Sequence, residues 1–517
     1  MKTFKRFFLL SAALAASIST SSGKGLAIER PGTHEAYWTH NGEPLLSFGG
    51  GPDLGLYGGG QAFDYKRWAD HIAAAGMNHW RVYPPLSWRM QEMYVEKNGG
   101  DVDAVLFPYK ETEDSRPGNR EFDLTQFDER YWEWMREVFE YCEAKGIVIH
   151  LLCINGWQLD ENDRNWGGHF FNPVNNVNAF TESLGGPPEN RHRFYHSLID
   201  GNAELLRAQQ EWYRKLVQIT ADLDNVYYDL VHELGDRPVD SEKVKPWITL
   251  MAQTIRAEFA GLAPEQSCII GMDCGGMDGK THALAILPRP GSLMDWIYSH
   301  PELDLLIYGK VHQLANARSW RFHYKKPYVP QEAWDEHGPK YTLGHPYPDN
   351  NIGYRKYLWK FMMAKCQQMD VYWWQRGPND EWWEQNYDPA SLEGMFSESA
   401  RLLRDFWGEI ADYPNLGFQG GILHQAPIQM VLSSPVEVLC YLSSESSALN
   451  VDIPSQQAEI YDVALADGPC LIRFFDPASG FLESSTQGQI EDGRITLQIP
   501  DFTDDLMILV HTETSAN

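Results

Sequence analysis

The sequence predicts an α/β chain in two parts, a closed (β/α)8 barrel (the TIM barrel) followed by a small all-β sandwich. Three features carry that expectation. Strand-like and helix-like runs alternate eight times, which implies a parallel sheet covered by helices. The stretch "GGGPDLGLYGGG" lacks the spacing that opens a phosphate-binding helix, which argues against a doubly wound open sheet. From about residue 415 the helical patterning stops, and short strands separated by turn clusters take over.

The barrel elements follow in order. "LLSFGG" (45–50) is the first strand, and "YKRWADHIAAAG" repeats its apolar residues at helical spacing before "MNHWRVY" (77–83). "YWEWMREVFEYCEAKG" leads into "IVIHLLCIN" (147–155), and "ELLRAQQEWYRKLVQITADL" into "NVYYDLV" (225–231). "PWITLMAQTIRAEFA" leads into "CIIGMD" (268–273), followed by "LDLLIYG" (303–309), the helical "VHQLANARSWRFHY" and "PYVPQEA" (327–333). "YRKYLWKFMMAKCQQ" precedes the expected eighth strand "VYWWQ" (371–375), and "SESARLLRDFWGEIADY" closes the series. Long insertions rich in Gly, Asn and Trp follow strands two, three and seven, on the C-terminal side of the sheet. The expected limits are 26–412 for the barrel and 415–517 for the sandwich, with no linker, so the two are expected to pack directly.

The start of the chain, "MKTFKRFFLLSAALAASISTSS", is basic, then apolar, then small and polar. It reads as a signal peptide within residues 1–24, so the mature protein is expected to be secreted or periplasmic. No later segment is apolar for long enough to suggest a membrane anchor. A net charge of −28 disfavours nucleic acid as a partner, because such binding depends on Lys and Arg neutralising phosphates. No CxxC or HExxH is present, so neither a metal nor another cofactor is expected. The seven cysteines permit disulfides without forming a dense framework, and Cys440 with Cys470 is a candidate pair.

Two carboxylates stand at strand ends. Glu233 follows the fourth strand in "NVYYDLVHELGD", and Glu332 ends the seventh in "YVPQEAWDEH", where Glu336 is its rival. A lone glutamate at a strand end is usually a solvated residue. In a barrel of this kind, however, polar residues at the C-terminal strand ends point into the site that the loops build. Strands four and seven face each other across the mouth, so the pair could flank one bond. Glycosidic cleavage needs such a pair, one group to protonate the leaving oxygen and one to attack or to activate water.

With "GMNHWRVYPPLSW" added, the chain resembles the retaining (β/α)8 glycoside hydrolases of clan A, family 5 most closely. The resemblance implies a carbohydrate substrate, Glu233 as acid/base and Glu332 as nucleophile, with Arg81 bonding the nucleophile. It also implies a sugar contact from Tyr308 or His312 and a stacking platform from Trp373 or Trp374. The C-terminal part, with "FFDPASG" and "IPDFTDDLMILV", is similar to a β-domain assigned to collagen binding that follows such barrels. One departure is plain. The family usually has Asn before the acid/base, and here His232 stands in that place.

Asn155 is a further strand-end candidate, Trp382 and Trp334 are loop aromatics suited to stacking on sugar faces, and His150 reads as a satisfied core histidine. Two other readings stay open. One is a non-catalytic carbohydrate-binding barrel in which His232 marks a decayed site. The other is a polysaccharide lyase-like enzyme on the same fold.

Overall fold

The computed structural model describes residues 25–512 except 30–35, 51–54, 160–162, 235–238, 275–286, 309–313, 331–350, 371–396, 445–449 and the single residues Pro188, Gln367 and Phe481. The chain forms a (β/α)8 barrel and a separate antiparallel β-unit. The barrel strands are β1 (Ser47–Gly49), β2 (His79–Val82), β3 (Val148–Leu152), β4 (Val226–Asp229), β5 (Ile270–Gly271), β6 (Leu306–Tyr308), β7 (Tyr328–Pro330) and β8 (Gln368–Asp370). Parallel pairing runs from β1 through β5, a bridge from Asp273 to Ile307 joins β5 to β6, and β6 pairs with β7. Strand β8 lies beside β7 and pairs in parallel with β1, Gln368 opposite Ser47, which closes the ring.

The eighth strand therefore starts earlier than the aromatic run "VYWWQ" suggested. Gln368-Met369-Asp370 carries little β-propensity, and its place is set by what Gln368 bonds inside the barrel. Residues 371–396 lie outside the described residues.

Among the described residues the α-helices are α1 (Tyr65–Ala74), α2 (Trp88–Lys97), α3 (Glu129–Ala144), α4 (Glu189–Tyr195), α5 (Ala203–Thr220), α6 (Ser241–Leu262), α7 (Leu293–Ser299), α8 (Leu314–Tyr324), α9 (Asn351–Met363) and α10 (Ser397–Trp407). Helix α3 shows why these segments coil. Asp128 caps its start by accepting from Arg130 N–H. Tyr131, Trp132, Met135, Val138, Phe139 and Cys142 form one buried stripe at helical spacing. Its C-terminus stops at Gly146, whose φ of +69° suits glycine.

Strand alternation divides the barrel wall. Trp80, Val82, Ile149, Leu151, Val226 and Tyr228 face the helices. Val148, Tyr227, Ile269, Leu305, Ile307 and Val329 form a separate interior cluster. An antiparallel flap, Leu26–Glu29 paired with Tyr37–His40, adds Leu26 and Trp38 to that cluster, with Trp38 edge-on to Tyr227 at 4.9 Å. This apolar plug seals one end of the barrel. Polar groups occupy the next layer.

The second unit is one eight-stranded antiparallel sheet. Its strands are β9 (Gly421–Leu423), β10 (Ile428–Ser433), β11 (Glu437–Ser443), β12 (Gln456–Tyr461), β13 (Gly468–Phe475), β14 (Leu482–Glu491), β15 (Arg494–Ile499) and β16 (Asp505–Thr512). They lie in the order β9-β12-β15-β14-β13-β16-β11-β10. Both faces of β11 and β16 are buried. Val438, Cys440, Leu442, Leu506, Ile508 and Val510 fill the unit's own core. The alternate residues Leu439, Tyr441, Met507 and Leu509 join the barrel's core cluster. At that junction Phe406 of α10 packs between Trp359 and Phe475, at 4.9 and 4.8 Å, and Arg355 of α9 pairs with the buried carboxylate of Asp505. All seven cysteines are free. Cys440 and Cys470 sit on strands either side of β16, opposite Ile508 and Thr512, so the candidate disulfide does not form.

Candidate active site

The site begins where β3 and β4 run on past their last ladder pair. His232 N–H donates to Ile154 O at 2.9 Å, and Gly156 N–H donates to His232 O at 2.7 Å, so Asn155 and His232 form one more parallel bridge. This extension carries the chain to Glu233, whose φ of +53° is left-handed, a conformation a residue with a Cβ adopts at a cost. Three neighbours hold it there. Asp273, at the end of β5, accepts from Glu233 N–H at 3.2 Å. Arg191 of α4 donates from Nη2 to Glu233 O at 3.0 Å and to Gly156 O at 2.9 Å. Gly156 allows the close approach, since a Cβ there would lie 2.8 Å from the carbonyl oxygens of both His232 and Glu233.

The Glu233 side chain keeps 24 % of its exposure, while that of His232 keeps 4 % and that of Asp273 none. His232 Nδ1 lies 2.9 Å from Asp273 Oδ2, and its Nε2 lies 4.0 Å from Glu233 Oε1. The acid that meets solvent thus lies beside an imidazole that lies beside a buried carboxylate, and at 2.9 Å the ring nitrogen and the carboxylate oxygen are close without forming a hydrogen bond. Asn155 Oδ1 accepts from Trp157 N–H at 3.3 Å. Its buried Nδ2 has no hydrogen-bond partner among the described residues.

Beneath this lies a polar layer contributed by five strands. Asp273 N–H donates to Asp229 Oδ1 at 3.0 Å, and Asp229 Oδ2 is 3.3 Å from His150 Nε2. Gln368 Nε2 stands 3.4 Å from His150 Nδ1 and 3.3 Å from His79 Nε2. Burial pushes both histidines well below the usual imidazole value, and Arg81 close by pushes each further in that direction. Both rings are therefore neutral, and the partners assign the tautomers. His150 donates from Nε2 to the carboxylate and accepts at Nδ1 from the Gln368 amide, whose other hydrogen goes to His79 Nε2. His150 is thus bonded inside the barrel, and it stacks on Tyr227 at 4.6 Å.

Of the residues singled out in the sequence, Glu233, His232 and Asn155 converge at the mouth, and Arg81 lies fully buried on the inner face of β2. Tyr308 does not converge with them. It sits on the outer face of β6, edge-on to Trp320 of α8 at 5.5 Å, while Leu305 and Ile307 line the inner face. Glu332, Trp334, His312, Trp373, Trp374 and Trp382 lie outside the described residues. Sequence reasoning missed Asp229, Asp273 and Arg191. The two aspartates had a signal, since "VYYDLV" and "CIIGMD" each set an acid in an apolar strand, which is costly unless the acid is bonded. Arg191 had none.

No family model and no curated protein matches the chain. Solved structures do. A protein described as a glycoside hydrolase is 11 % identical, with a TM-score of 0.57 over 96 % of this chain and 98 % of that one. A glycoside hydrolase family 5 protein from Bacteroides vulgatus is 12 % identical, with a TM-score of 0.55 over 95 % of this chain and 94 % of that one. The likeness is one of fold. Both neighbours are matched along nearly their whole length, so it spans the barrel and the β-unit together.

Proposed function

We propose that the chain is a glycoside hydrolase that cleaves a poly- or oligosaccharide with retention of configuration. Glu332 attacks the anomeric carbon while Glu233 protonates the departing oxygen. Glu233 then takes a proton from water as the glycosyl ester is hydrolysed. The observation that carries this reading is the setting of Glu233, a partly exposed acid at the barrel mouth on a backbone that three elements restrain. Strain kept at one residue by specific bonds is typical of a functional position. The fold shared with two glycoside hydrolases adds support.

In the same reading, Arg81 orients the nucleophile, and Asn155, whose amide has no partner among the described residues, contacts the sugar. Trp373, Trp374, Trp382 and Trp334 supply stacking faces, and His312 a polar contact. Residues 1–24 are removed on export, and the mature chain comprises a catalytic unit, 26–412, and a β-unit, 415–517, that supports it by packing.

The test is a panel of plant, algal and microbial glycans offered to the mature protein, with product analysis and NMR of the first-formed anomer. Release of a product that keeps the substrate's anomeric configuration supports the reading. An inverted product contradicts the nucleophile, unsaturated product ends point to a lyase, and binding without turnover points to a carbohydrate-binding barrel.

A further inference from the structure

We propose that the chain acts on glycan ends, releasing a short unit from one terminus, because one side of the barrel mouth is walled. This rests on the glycosidase reading above. The two carboxylates of that reading stand after β4 and β7, which face each other across the mouth. A glycan whose bond lies between them therefore crosses the mouth, from the side of β1, β2 and β3 to the side of β5 and β6. A cleft open on both sides admits the middle of a chain. A site closed on one side admits only an end.

The wall is made by loops tied to one another. Gln158, in the insertion after β3, donates from Nε2 to Tyr57 OH in the turn after β1. That turn is fastened to α2, where Gln91 Oε1 accepts from Gly58 N–H at 3.1 Å. The loop after β2 joins the same insertion, since Ser87 bridges His169 and Phe170 N–H donates to Leu86 O at 2.9 Å. Gly168 gives Ser87 room, because a Cβ there would lie 2.4 Å from its Oγ. Arg191 carries the rim on to the acid by holding Gly156 O and Glu233 O. Side chains that could floor a sugar subsite on this side are packed away. Tyr57 and Gln158 are fully buried, and Tyr83, just past β2, is 1 % exposed. Tyr57 and Trp157 each meet the Tyr83 ring edge-on, at 5.7 and 6.3 Å.

The insertion is also braced from within and from behind. The buried amides of Asn172, Asn175 and Asn176 donate to Trp166 O at 2.8 Å, His169 O at 2.9 Å and Phe170 O at 2.8 Å. Behind them stands the hairpin of Tyr109–Glu111 and Phe122–Phe127. Val177 N–H donates to Phe122 O at 3.0 Å, and Leu124 N–H donates to Asn178 Oδ1 at 2.7 Å. Segments that open and close have few buried contacts and solvent-exposed bonds. This one has the opposite character, so it is a fixed wall.

Two measurements on the mature protein test this. The first uses oligomers of increasing length from the best glycan of the panel, labelled at one end. Cleavage should fall at one fixed distance from the same chain end at every length. The parent polymer should release one small product from the start while its mean size falls little. Cleavage positions spread along the chain, with a rapid fall in mean size, would overturn the proposal and leave the glycosidase reading intact. No hydrolysis of any glycan would remove that reading and the proposal with it. The second measurement needs no turnover. In hydrogen exchange without ligand, the amides of Gly58, Phe170 and Val177, whose bonds tie the wall together, should stay protected for minutes to hours. Exchange of these amides within seconds would mean that the wall opens, and that contradicts a site closed on this side.

Discussion

Arg191, a residue 2 % exposed, donates from Nη2 to Glu233 O at 3.0 Å and to Gly156 O at 2.9 Å. A helix in the long insertion after β3 therefore fixes the carbonyl side of the acid's strained backbone, while Asp273 fixes its amide side. Charge-assisted bonds of this type contribute about 1.5–3 kcal/mol each. Arg191→Met keeps the bulk and removes both donors. It should lower the melting temperature by several degrees and turnover by more than tenfold, as thermal denaturation and kcat measured together would show. Full activity in a destabilised protein would mean that the bond serves the fold alone.

Gly156→Ala tests the same contact from the opposite side. The added methyl meets two backbone oxygens at 2.8 Å, and neither can rotate away as a side-chain tip could. Overpacking of this kind costs about 1–3 kcal/mol. The expected outcome is a folded protein whose activity falls further than its stability, because the displaced segment is the one that carries Glu233.

Asp505 and Arg355 join the two units inside a buried interface. The carboxylate accepts from Arg355 Nε at 3.1 Å and Nη2 at 2.6 Å, and from Tyr441 OH at 3.1 Å. Burial still raises Asp505 above the usual carboxylate value despite the adjacent guanidinium, so the pair adds little net stability. Breaking it is another matter. Asp505→Ala leaves a buried guanidinium uncompensated and should cost about 3–5 kcal/mol. Arg355→Met with Asp505→Leu should recover most of that loss, which paired melting curves would show. An expressed 26–412 fragment exposes the same face and should be poorly soluble.

Much of this architecture is legible in the sequence for a simple reason. The helices show one apolar stripe each, as in α3, and the barrel strands are short apolar runs between them, so the order of elements follows from periodicity. The eighth strand starts earlier than the local pattern suggests, at Gln368, which is held by histidines 289 and 218 residues away, a constraint that no local pattern carries. The strand-end rule led to Glu233 and His232 directly. It could not give Arg191, which reaches the site from an insertion through main-chain carbonyls, and those leave no mark on the sequence. Tyr308 shows the cost of a one-residue offset, since alternation along β6 turns its ring to the helices.

Burial also gives the fold a pH dependence. It holds His79 and His150 well below the usual value and brings His169 down to about 3. In the unfolded chain each ring titrates near 6.5. Below that pH the unfolded state binds protons that the folded state refuses, so this stability is complete above about 6.5 and is lost as pH falls. Each ring contributes up to about 1.4 kcal/mol per pH unit. Glu437 and Asp505, raised by burial, act in the opposite sense at lower pH, so the comparison belongs between pH 7.5 and 6. The melting temperature should drop across that interval, with proton uptake on unfolding. An unchanged melting temperature would contradict neutral rings at these buried positions.

The most direct test of the account is Glu233→Gln, assayed on the best substrate from the glycan panel and on an aryl glycoside with an activated leaving group. Arg191 and Asp273 hold residue 233 by its main-chain carbonyl and N–H, which the substitution leaves unchanged, so the clamp and the fold are expected to survive. Turnover of the natural glycan should fall by about two to four decades, the contribution of a positioned general acid, while the aryl glycoside, which needs no protonation to leave, should lose far less. Near-normal turnover of the natural glycan by a folded Glu233→Gln protein would contradict the account.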